Sequence, residues 1–342
     1  MSDMDERQPA QGIEATRRFD LKTFFLQWEW MLALLIVGVF AINTYLSPYF
    51  LNGPALIGAT STFLDKAFLV LPMVFVIILG DIDISAGSTV ALSSVMMAVG
   101  YNAGLPMPVA MVLCLVTSTL CGLLNGVLIV KFKELSSVIV TLSTMIIYRG
   151  IAYVILEDQA SGKFPAWFNY LGWGSVGPVP FVLIVFVFFA VFFALLLHKT
   201  TFGRRVYGMG SNLTACRFSR VRVDRIKIAV FAVTGLVAGV TALFLTSRMG
   251  STRPNVALGY ELDVITMVVM GGVSTAGGKG RMTGPIMAVF LVGYLQYGLG
   301  IVNVPSQALL IITGLLLVFA VMVPNISSRI RDKLRKRSTK GA

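Results

Sequence analysis

Two glycine-rich stretches are the parts of the sequence whose residue types and spacing most suggest a chemical site. They are VSTAGGKG, residues 273–280, and GMGSNL, residues 208–213. A P-loop would need a glycine where Val273 stands and a magnesium-binding Ser or Thr where Gly280 stands. A dinucleotide-binding loop would need its third glycine where Leu213 stands. We therefore predict that the chain is not an enzyme, with no catalytic residue and no nucleotide or other cofactor bound by the chain itself.

Ionisable residues inside apolar stretches, which mark proton and ion pathways, are few. Only Arg149 lies deep in such a stretch, where we expect a carboxylate or carbonyl group to pair with it. Asp65 and Lys66 stand near the start of another stretch, and we expect water to solvate both. The single histidine, His198, stands beside Lys199 at the end of a stretch, which favours an interfacial anchor over a proton relay. The sequence thus predicts no metal site and argues against coupling to an ion gradient.

Two short polar segments interrupt the apolar pattern, and we interpret them as gates or structural turns. In GDIDISAGS, residues 80–88, Asp83 or Ser85 could cap the following helix through its side chain. GGVSTAGGKGRMTGP, residues 271–285, is a second flexible break, and its glycines of interest are Gly271, Gly272, Gly277 and Gly278.

Polar residues within the apolar stretches could line a pathway for a hydroxylated solute. Each is a weak indication by itself, because such side chains also form hydrogen bonds between helices. The residues that we predict to line the translocation path are Asn125, Thr141, Ser143, Thr266 and Gln296.

The largest polar interruption is basic. Residues 199–227 carry eight Lys and Arg residues against one acid, Asp224. Attraction to anionic membrane lipid explains the charge. It does not explain SNLTACRFSRV, in which Ser211 or Asn212 could cap a short helix. The apolar stripe of that helix would be Leu213, Phe218 and Val221.

The elements that must position these residues are membrane-spanning helices. The chain of 342 residues is 56% hydrophobic and 13% charged, with a mean hydropathy of +0.82. Several of its apolar runs approach the roughly 20 residues that cross a bilayer as a helix. We predict an all-α integral membrane protein, a polytopic bundle of about ten transmembrane helices. The predicted spans are residues 30–47, 63–80, 85–101, 109–130, 135–155, 179–197, 228–247, 261–273, 283–302 and 306–323.

The distribution of Lys and Arg predicts the orientation. With both termini in the cytoplasm, 23 of the 28 Lys and Arg residues fall on the cytoplasmic side. The net charge of +12 therefore indicates topology, and no nucleic-acid partner is expected. The predicted parts are a cytoplasmic tail at 1–29, a transmembrane domain at 30–325 with the cytoplasmic loop 198–227, and a basic cytoplasmic tail at 326–342.

Three motifs resemble the permease subunits of bacterial ABC importers for monosaccharides, the ribose, xylose, rhamnose and autoinducer-2 group. GDIDISAGS resembles the family's Gly-Gly-Ile-Asp-Leu-Ser-Val-Gly-Ser segment, and GRRVYGMGSNLTACRFSRV resembles its ATPase-coupling loop. GYELDVITMVVMGGVSTAGGKGRMTG, residues 259–284, is similar to its longest signature, and the resemblance covers nearly all of residues 30–325.

The resemblance implies an ABC importer permease fold in a bacterial inner membrane. It also implies three kinds of partner: a second permease copy or paralogue, cytoplasmic ATPase subunits that use ATP and Mg, and a periplasmic sugar-binding protein. The sequence departs from the family at Asp81, Leu213 and Arg220, where glycine, an acidic residue and glycine are usual. The coupling role would fall on Asn212, Thr214, Ala215, Arg217 and Ser219.

Other functions stay open from the sequence. Within the same architecture, the solute could be a branched-chain amino acid. An ion-coupled secondary sugar transporter is a second alternative, against which the shortage of deep ionisable residues argues. A structural or receptor membrane protein without transport activity is a third.

Overall fold

The computed structural model describes residues 28–305 and, beyond them, residues 308, 309, 311, 312, 314–316, 318 and 322. The predicted tail at 326–342 lies outside the described residues, as does almost all of the tail at 1–29. The predicted tenth span, 306–323, is described only in part.

The described chain is predominantly helical. Its α-helices are α1 (Trp28–Leu46), α2 (Gly53–Ile78), α3 (Ala86–Asn102), α4 (Met107–Lys131), α5 (Ser137–Leu156), α6 (Tyr170–Trp173), α7 (Phe181–Lys199), α8 (Thr201–Ser211), α9 (Leu213–Phe218), α10 (Val223–Met249), α11 (Tyr260–Met270) and α12 (Thr283–Ile301). A short 3₁₀ helix, Ala166–Asn169, precedes α6.

Four two-residue strands form two small antiparallel pairs. They are β1 (Ser161–Gly162), β2 (Ser175–Val176), β3 (Val179–Pro180) and β4 (Ser251–Thr252). β2 pairs with β3, and β1 pairs with β4 with Ser161 opposite Thr252. The β1–β4 pair joins the segment after α5 to the loop after α10.

Helix α2 is the centre of the bundle. Nearly every residue from 59 to 78 is buried, and the helix packs against α7, α10, α11 and α12. A predominantly apolar helix that is buried on every side is a core element. By contrast, α1, α4, α5 and α7 each turn an apolar face outward, with exposed residues such as Leu34, Leu120, Val154 and Phe188. Those faces are the surface that the bundle presents to lipid.

Helices α4 and α10 meet through glycine. A Cβ atom added at Gly122 would clash with the carbonyl oxygen of Phe231 and with the backbone of Gly235. At Gly126 the same addition would come within 2.9 Å of the Ile228 Cα. Close backbone approach through small residues holds helices together where the hydrophobic effect cannot. Gly122 and Gly126 therefore allow the close packing of α4 against α10.

Among the described residues, seven helices are long and apolar enough to span a membrane. They are α1, α2, α4, α5, α7, α10 and α12. The chain is therefore a polytopic all-α membrane protein. The predicted spans at 85–101 and 261–273 are also helical, but α3 has 17 residues and α11 only 11.

Helix α11 begins part of the way through the bundle. At 11 residues it is about 16 Å long, too short to cross about 30 Å of hydrocarbon alone. The non-helical segment before it runs along α3, since Thr252 contacts Ser94 through their hydroxyls at 2.6 Å and the Ala257 carbonyl lies against Gly87. The predicted eighth span, 261–273, thus consists of the short helix α11 and the turn after it, and a non-helical segment precedes it.

Candidate functional site

Helix α9, the short helix within the basic segment, has hydrogen-bonded caps at both ends. At its start, Asn212 Oδ1 accepts a hydrogen bond from the backbone N–H of Ala215 at 2.9 Å. Such a side-chain cap satisfies one of the N–H groups that a helix start leaves unpaired. Of the two capping candidates, Asn212 is confirmed, while the Ser211 hydroxyl donates backward to the carbonyl of Tyr207.

The end of α9 is a left-handed turn at Arg220. The backbone N–H of Val221 donates to the Cys216 carbonyl at 3.1 Å, and that of Arg220 donates to the Arg217 carbonyl at 3.1 Å. This pair of bonds requires a left-handed residue after the helix, a position that glycine usually fills. Arg220 has a φ of 57° there. The departure from glycine noted in the sequence therefore has a backbone cost.

The outward face of α9 is polar except for one aromatic ring. Leu213, Cys216 and Val221 are half-buried and pack toward the hydrophobic core, whereas Phe218 is 86% exposed. The prediction that Phe218 shares the inward apolar stripe is wrong, because α9 ends at that residue and its side chain points away from the bundle. Apart from the capping Asn212, the predicted coupling residues on the exposed surface are Thr214, Ala215, Arg217 and Ser219.

Glycine-rich turns hold this segment against the bundle. The backbone N–H of Gly278 donates to the Ile78 carbonyl at 2.8 Å, and Gly210 leaves no room for a Cβ between Ile78 and Gly278. Gly278 itself has a φ of 71°, which a side chain would strain. The Tyr207 hydroxyl donates to the Gly280 carbonyl at 2.7 Å. The polar segments 80–88 and 271–285 thus meet the basic segment at one end of the molecule.

An ion pair connects the first polar segment to the start of α10. Lys227 Nζ lies 2.6 Å from Asp81 Oδ2, and both side chains are largely buried. Asp81 also borders a groove of about 260 Å³ whose other walls include Leu213 and Arg217 of α9. The second departure from the family pattern, Asp81, therefore supplies a charge that the adjoining lysine neutralises.

Behind Asp81, a buried polar chain links α3, α4 and α5. Asp83 Oδ1 accepts hydrogen bonds from the backbone N–H and the hydroxyl of Ser85, at 2.9 and 2.7 Å. The side-chain amide of Asn125 donates to the Ser85 hydroxyl at 2.7 Å, and the Tyr148 hydroxyl donates to Asn125 at 3.1 Å. Ser85 is the N-cap residue of α3, but its hydroxyl makes no capping bond. The capping expected of Ser85 is replaced by this network.

The five predicted path residues do not lie together. Asn125 and Thr141 are fully buried near the first polar segment, where Thr141 accepts a hydrogen bond from the Ile84 backbone N–H. Ser143 is exposed on α5 and donates to its own helix. Thr266 is buried in α11, and Gln296 is half-buried in α12. Their role in translocation stays a prediction.

The bundle contains two buried ion pairs that the sequence did not predict. Asp65 and Lys66 are 1% and 6% exposed, so the expectation that water solvates them is wrong. Arg248 Nη2 lies 2.7 Å from Asp65, and Lys66 Nζ lies 2.5 Å from Asp263 and donates to Gln296 at 2.7 Å. The partners come from three other helices, so no local pattern around residue 65 indicates them.

Arg149 behaves as expected. Its Nη1 donates to the carbonyls of Pro254 and Val256, at 2.7 Å each. These carbonyls belong to the run of turns before α11. Non-helical backbone inside a membrane protein needs such partners, because no water is present to supply them. These two hydrogen bonds give the Arg149 guanidinium group partners deep in the span.

The comparisons with known proteins agree with this architecture. Residues 55–321 match the family described as "Branched-chain amino acid transport system / permease component". The chain is 35% identical over 321 residues to the autoinducer 2 import system permease protein LsrD of Escherichia coli (strain K12), and equally to that of Shigella flexneri. Each alignment covers 91% of this chain and 97% of the relative.

No solved structure matches the chain. The family match covers most of the chain, and the relatives are aligned over nearly their full length. The described helices, with their lipid-facing sides and a capped helix projecting at one end, are the architecture of a membrane permease. The chain is thus a member of the family of branched-chain amino acid transport system permease components.

Proposed function

We propose that the chain is the permease subunit of a bacterial ABC importer for a monosaccharide or a related small polyhydroxylated solute. It is a multi-pass protein of the inner membrane. The observation that carries the proposal is α9, an independently capped helix whose residues Thr214, Ala215 and Arg217 are exposed while its other side is fixed to the bundle. A helix of this kind suits attachment to a separate ATPase.

The structure suggests how movement of α9 would reach the interior. Pushing on α9 displaces α8 before it and α10 after it, because the linkers consist of Asn212 and of residues 219–222. The Asp81–Lys227 pair connects α10 to the first polar segment. Asp83 and Ser85 then connect that segment to α3, α4 and α5. ATP-driven closure of the ATPase would in this way shift helices that border the path.

The complete transporter in this proposal has several parts. A second permease, identical or paralogous, completes the path. Two cytoplasmic ATPase subunits bind ATP and Mg, and this chain binds neither. A periplasmic binding protein delivers the solute. The permease itself has about ten transmembrane helices and both termini in the cytoplasm, as the distribution of Lys and Arg predicts.

The solute class rests on the relatives. LsrD is named as an autoinducer 2 import permease, and this chain aligns with 97% of its length. We therefore place autoinducer 2 and small sugars such as ribose and rhamnose ahead of branched-chain amino acids. Competition for uptake by excess leucine would reverse that order.

Substitution of one exposed residue on α9 tests the coupling role. We expect Ala215→Arg to abolish ATP-driven uptake while the chain still folds and inserts, because its side chain points away from the bundle. Uptake into proteoliposomes containing the whole transporter measures the first effect, and thermal unfolding measures the second. Ala215→Ser is the matched control and keeps uptake. Normal uptake by Ala215→Arg would remove α9 from the coupling path.

A further inference from the structure

A basic cleft lies at the end of the bundle where α7 stops and α12 starts. Its volume is about 440 Å³. Residues that line it come from the last turn of α7, from α8 and from the turn before α12: Leu197, His198, Arg204, Tyr207, Gly280 and Arg281. No part of the coupling helix α9 lines this cleft, so its chemistry is separate from the site described above.

The charge of the cleft is positive on both sides. Arg204 stands on the α8 side and Arg281 on the α12 side, and the lining contains no acidic residue. Glu29 approaches Arg281 at 3.3 Å, but the Arg281 side chain is 62% exposed, and pairs this accessible to water contribute little. The two guanidinium groups therefore retain N–H donors for an anion of suitable geometry.

The walls of the cleft are fixed without using either guanidinium group. The backbone N–H of Met282 donates to His198 Nε2 at 3.3 Å, which joins α12 to α7. The Tyr207 hydroxyl donates to the Gly280 carbonyl at 2.7 Å, which joins α8 to the turn before α12. At the start of α8, the Thr200 hydroxyl accepts from the Gly203 backbone N–H at 3.2 Å. The cleft is thus formed in advance of any ligand.

The position of the cleft is the level of the lipid headgroups. Helix α7 is apolar along almost its whole length and has an outward apolar face, and it ends at Lys199. Helix α8 then turns Val206 and Met209 inward and leaves Arg204 and Arg205 exposed. An amphipathic helix that directly follows an apolar span lies in the interfacial plane.

We infer that this cleft binds the phosphate of an anionic phospholipid headgroup, held between Arg204 and Arg281. The assignment to the cytoplasmic leaflet rests on the orientation in the proposed function. Basic pockets between transmembrane helices on that side are suited to anionic headgroups. Because α8 continues directly into α9, a lipid held here also steadies the base of the coupling helix.

Lipid binding can be measured on the purified transporter in nanodiscs. The discs contain phosphatidylcholine alone or a mixture with phosphatidylglycerol, and native mass spectrometry counts bound phosphatidylglycerol. Each cation near an anionic surface contributes about 1 kcal/mol, roughly fivefold in affinity. The double variant Arg204→Gln/Arg281→Gln should therefore bind phosphatidylglycerol about 25-fold more weakly.

A matched double variant separates this cleft from general attraction. Arg205→Gln/Lys279→Gln removes two exposed cations from the same two segments without touching the lining. It should bind phosphatidylglycerol within about twofold of the unaltered chain. Equal weakening in both double variants would overturn the inference, because the attraction would then be diffuse. So would equal binding of both lipids by the unaltered chain.

Inorganic phosphate tests the source of the anion. At millimolar concentration it should leave the bound phosphatidylglycerol in place, since it lacks the acyl chains that lie against α7. Displacement by phosphate would overturn the choice of a lipid as occupant. These measurements report lipid binding only. Failure of the proposed function would instead appear as solute uptake that does not require ATP.

Discussion

At the scale of single residues, Arg220 has a backbone conformation that is unfavourable for any residue with a side chain. It occupies the left-handed turn after α9 with a φ of 57°. This conformation destabilises a residue that has a Cβ by about 1 kcal/mol, whereas it does not destabilise glycine. The sequence identified Arg220 as unusual but could not give the reason, because the left-handed turn depends on where α9 stops.

We expect Arg220→Gly to stabilise the end of α9. The predicted gain of about 1 kcal/mol corresponds to roughly fivefold slower hydrogen exchange at the backbone N–H groups of Arg217 to Val221. Ser219→Gly is the matched control, since Ser219 has a φ of −78° and gains nothing from glycine. Faster exchange in Arg220→Gly than in the unaltered chain would contradict the strain at this position.

Several residue roles followed correctly from the sequence and others did not. Asn212 was predictable as a cap because a cap is a local feature, set by its distance from Ala215. Asp65 and Lys66 were not, since Arg248 and Asp263 lie about 180 and 200 positions away and come together only in the folded bundle.

At the scale of elements, substitutions in the Asp81–Lys227 pair test whether α10 and the first polar segment move together. Both side chains are largely buried, and removing one member of such a pair costs about 3 kcal/mol. We expect Asp81→Asn to lower the number of solute molecules imported per ATP hydrolysed. The exchange Asp81→Lys/Lys227→Asp should recover most of that ratio.

The control for this pair is the neighbouring acid. Asp224 lies on the same first turn of α10 but is exposed, so Asp224→Asn should leave the ratio unchanged. The measurement is uptake and ATP hydrolysis by the same proteoliposomes. An unchanged ratio in Asp81→Asn would show that the pair only holds the structure together.

Element boundaries show where sequence reasoning succeeds. Long apolar runs such as α4 and α7 were predicted within about two residues of their limits, because hydropathy over a span is a strong signal. The start of α2 at Gly53, ten residues before the predicted one, was missed because Pro54, Thr60 and Thr62 interrupt the apolar run. Helix α11 is shorter than a full crossing, which its sequence did not indicate, because a short buried helix and a membrane span are equally apolar.

At the scale of the whole molecule, the distribution of charge predicts which end faces the cytoplasm. A chain in which alanine replaces Cys114, Cys121 and Cys216 allows single cysteines to report this. Ser219 and Lys163 are exposed at opposite ends of the proposed topology. We expect a membrane-impermeant maleimide to label Lys163→Cys in spheroplasts and Ser219→Cys only after permeabilisation. Labelling in the reverse pattern would invert the topology.

The proposed function is also a property of the whole molecule together with its partners. The sequence lacks a nucleotide-binding motif, and in the proposed function a separate ATPase attaches through α9. An importer of this design depends on its partners for both energy and solute. The proposed assembly therefore contains two permeases, two ATPases and a binding protein.

The most direct measurement is solute uptake by the assembly reconstituted in proteoliposomes. Autoinducer 2 or a labelled pentose is added outside with the binding protein, and ATP with Mg is enclosed inside. We predict uptake that requires enclosed ATP, stops when the ATPase is inactivated, and is unaffected by collapse of proton and sodium gradients. Uptake that persists without ATP and follows an ion gradient would contradict the assignment as an ABC importer permease.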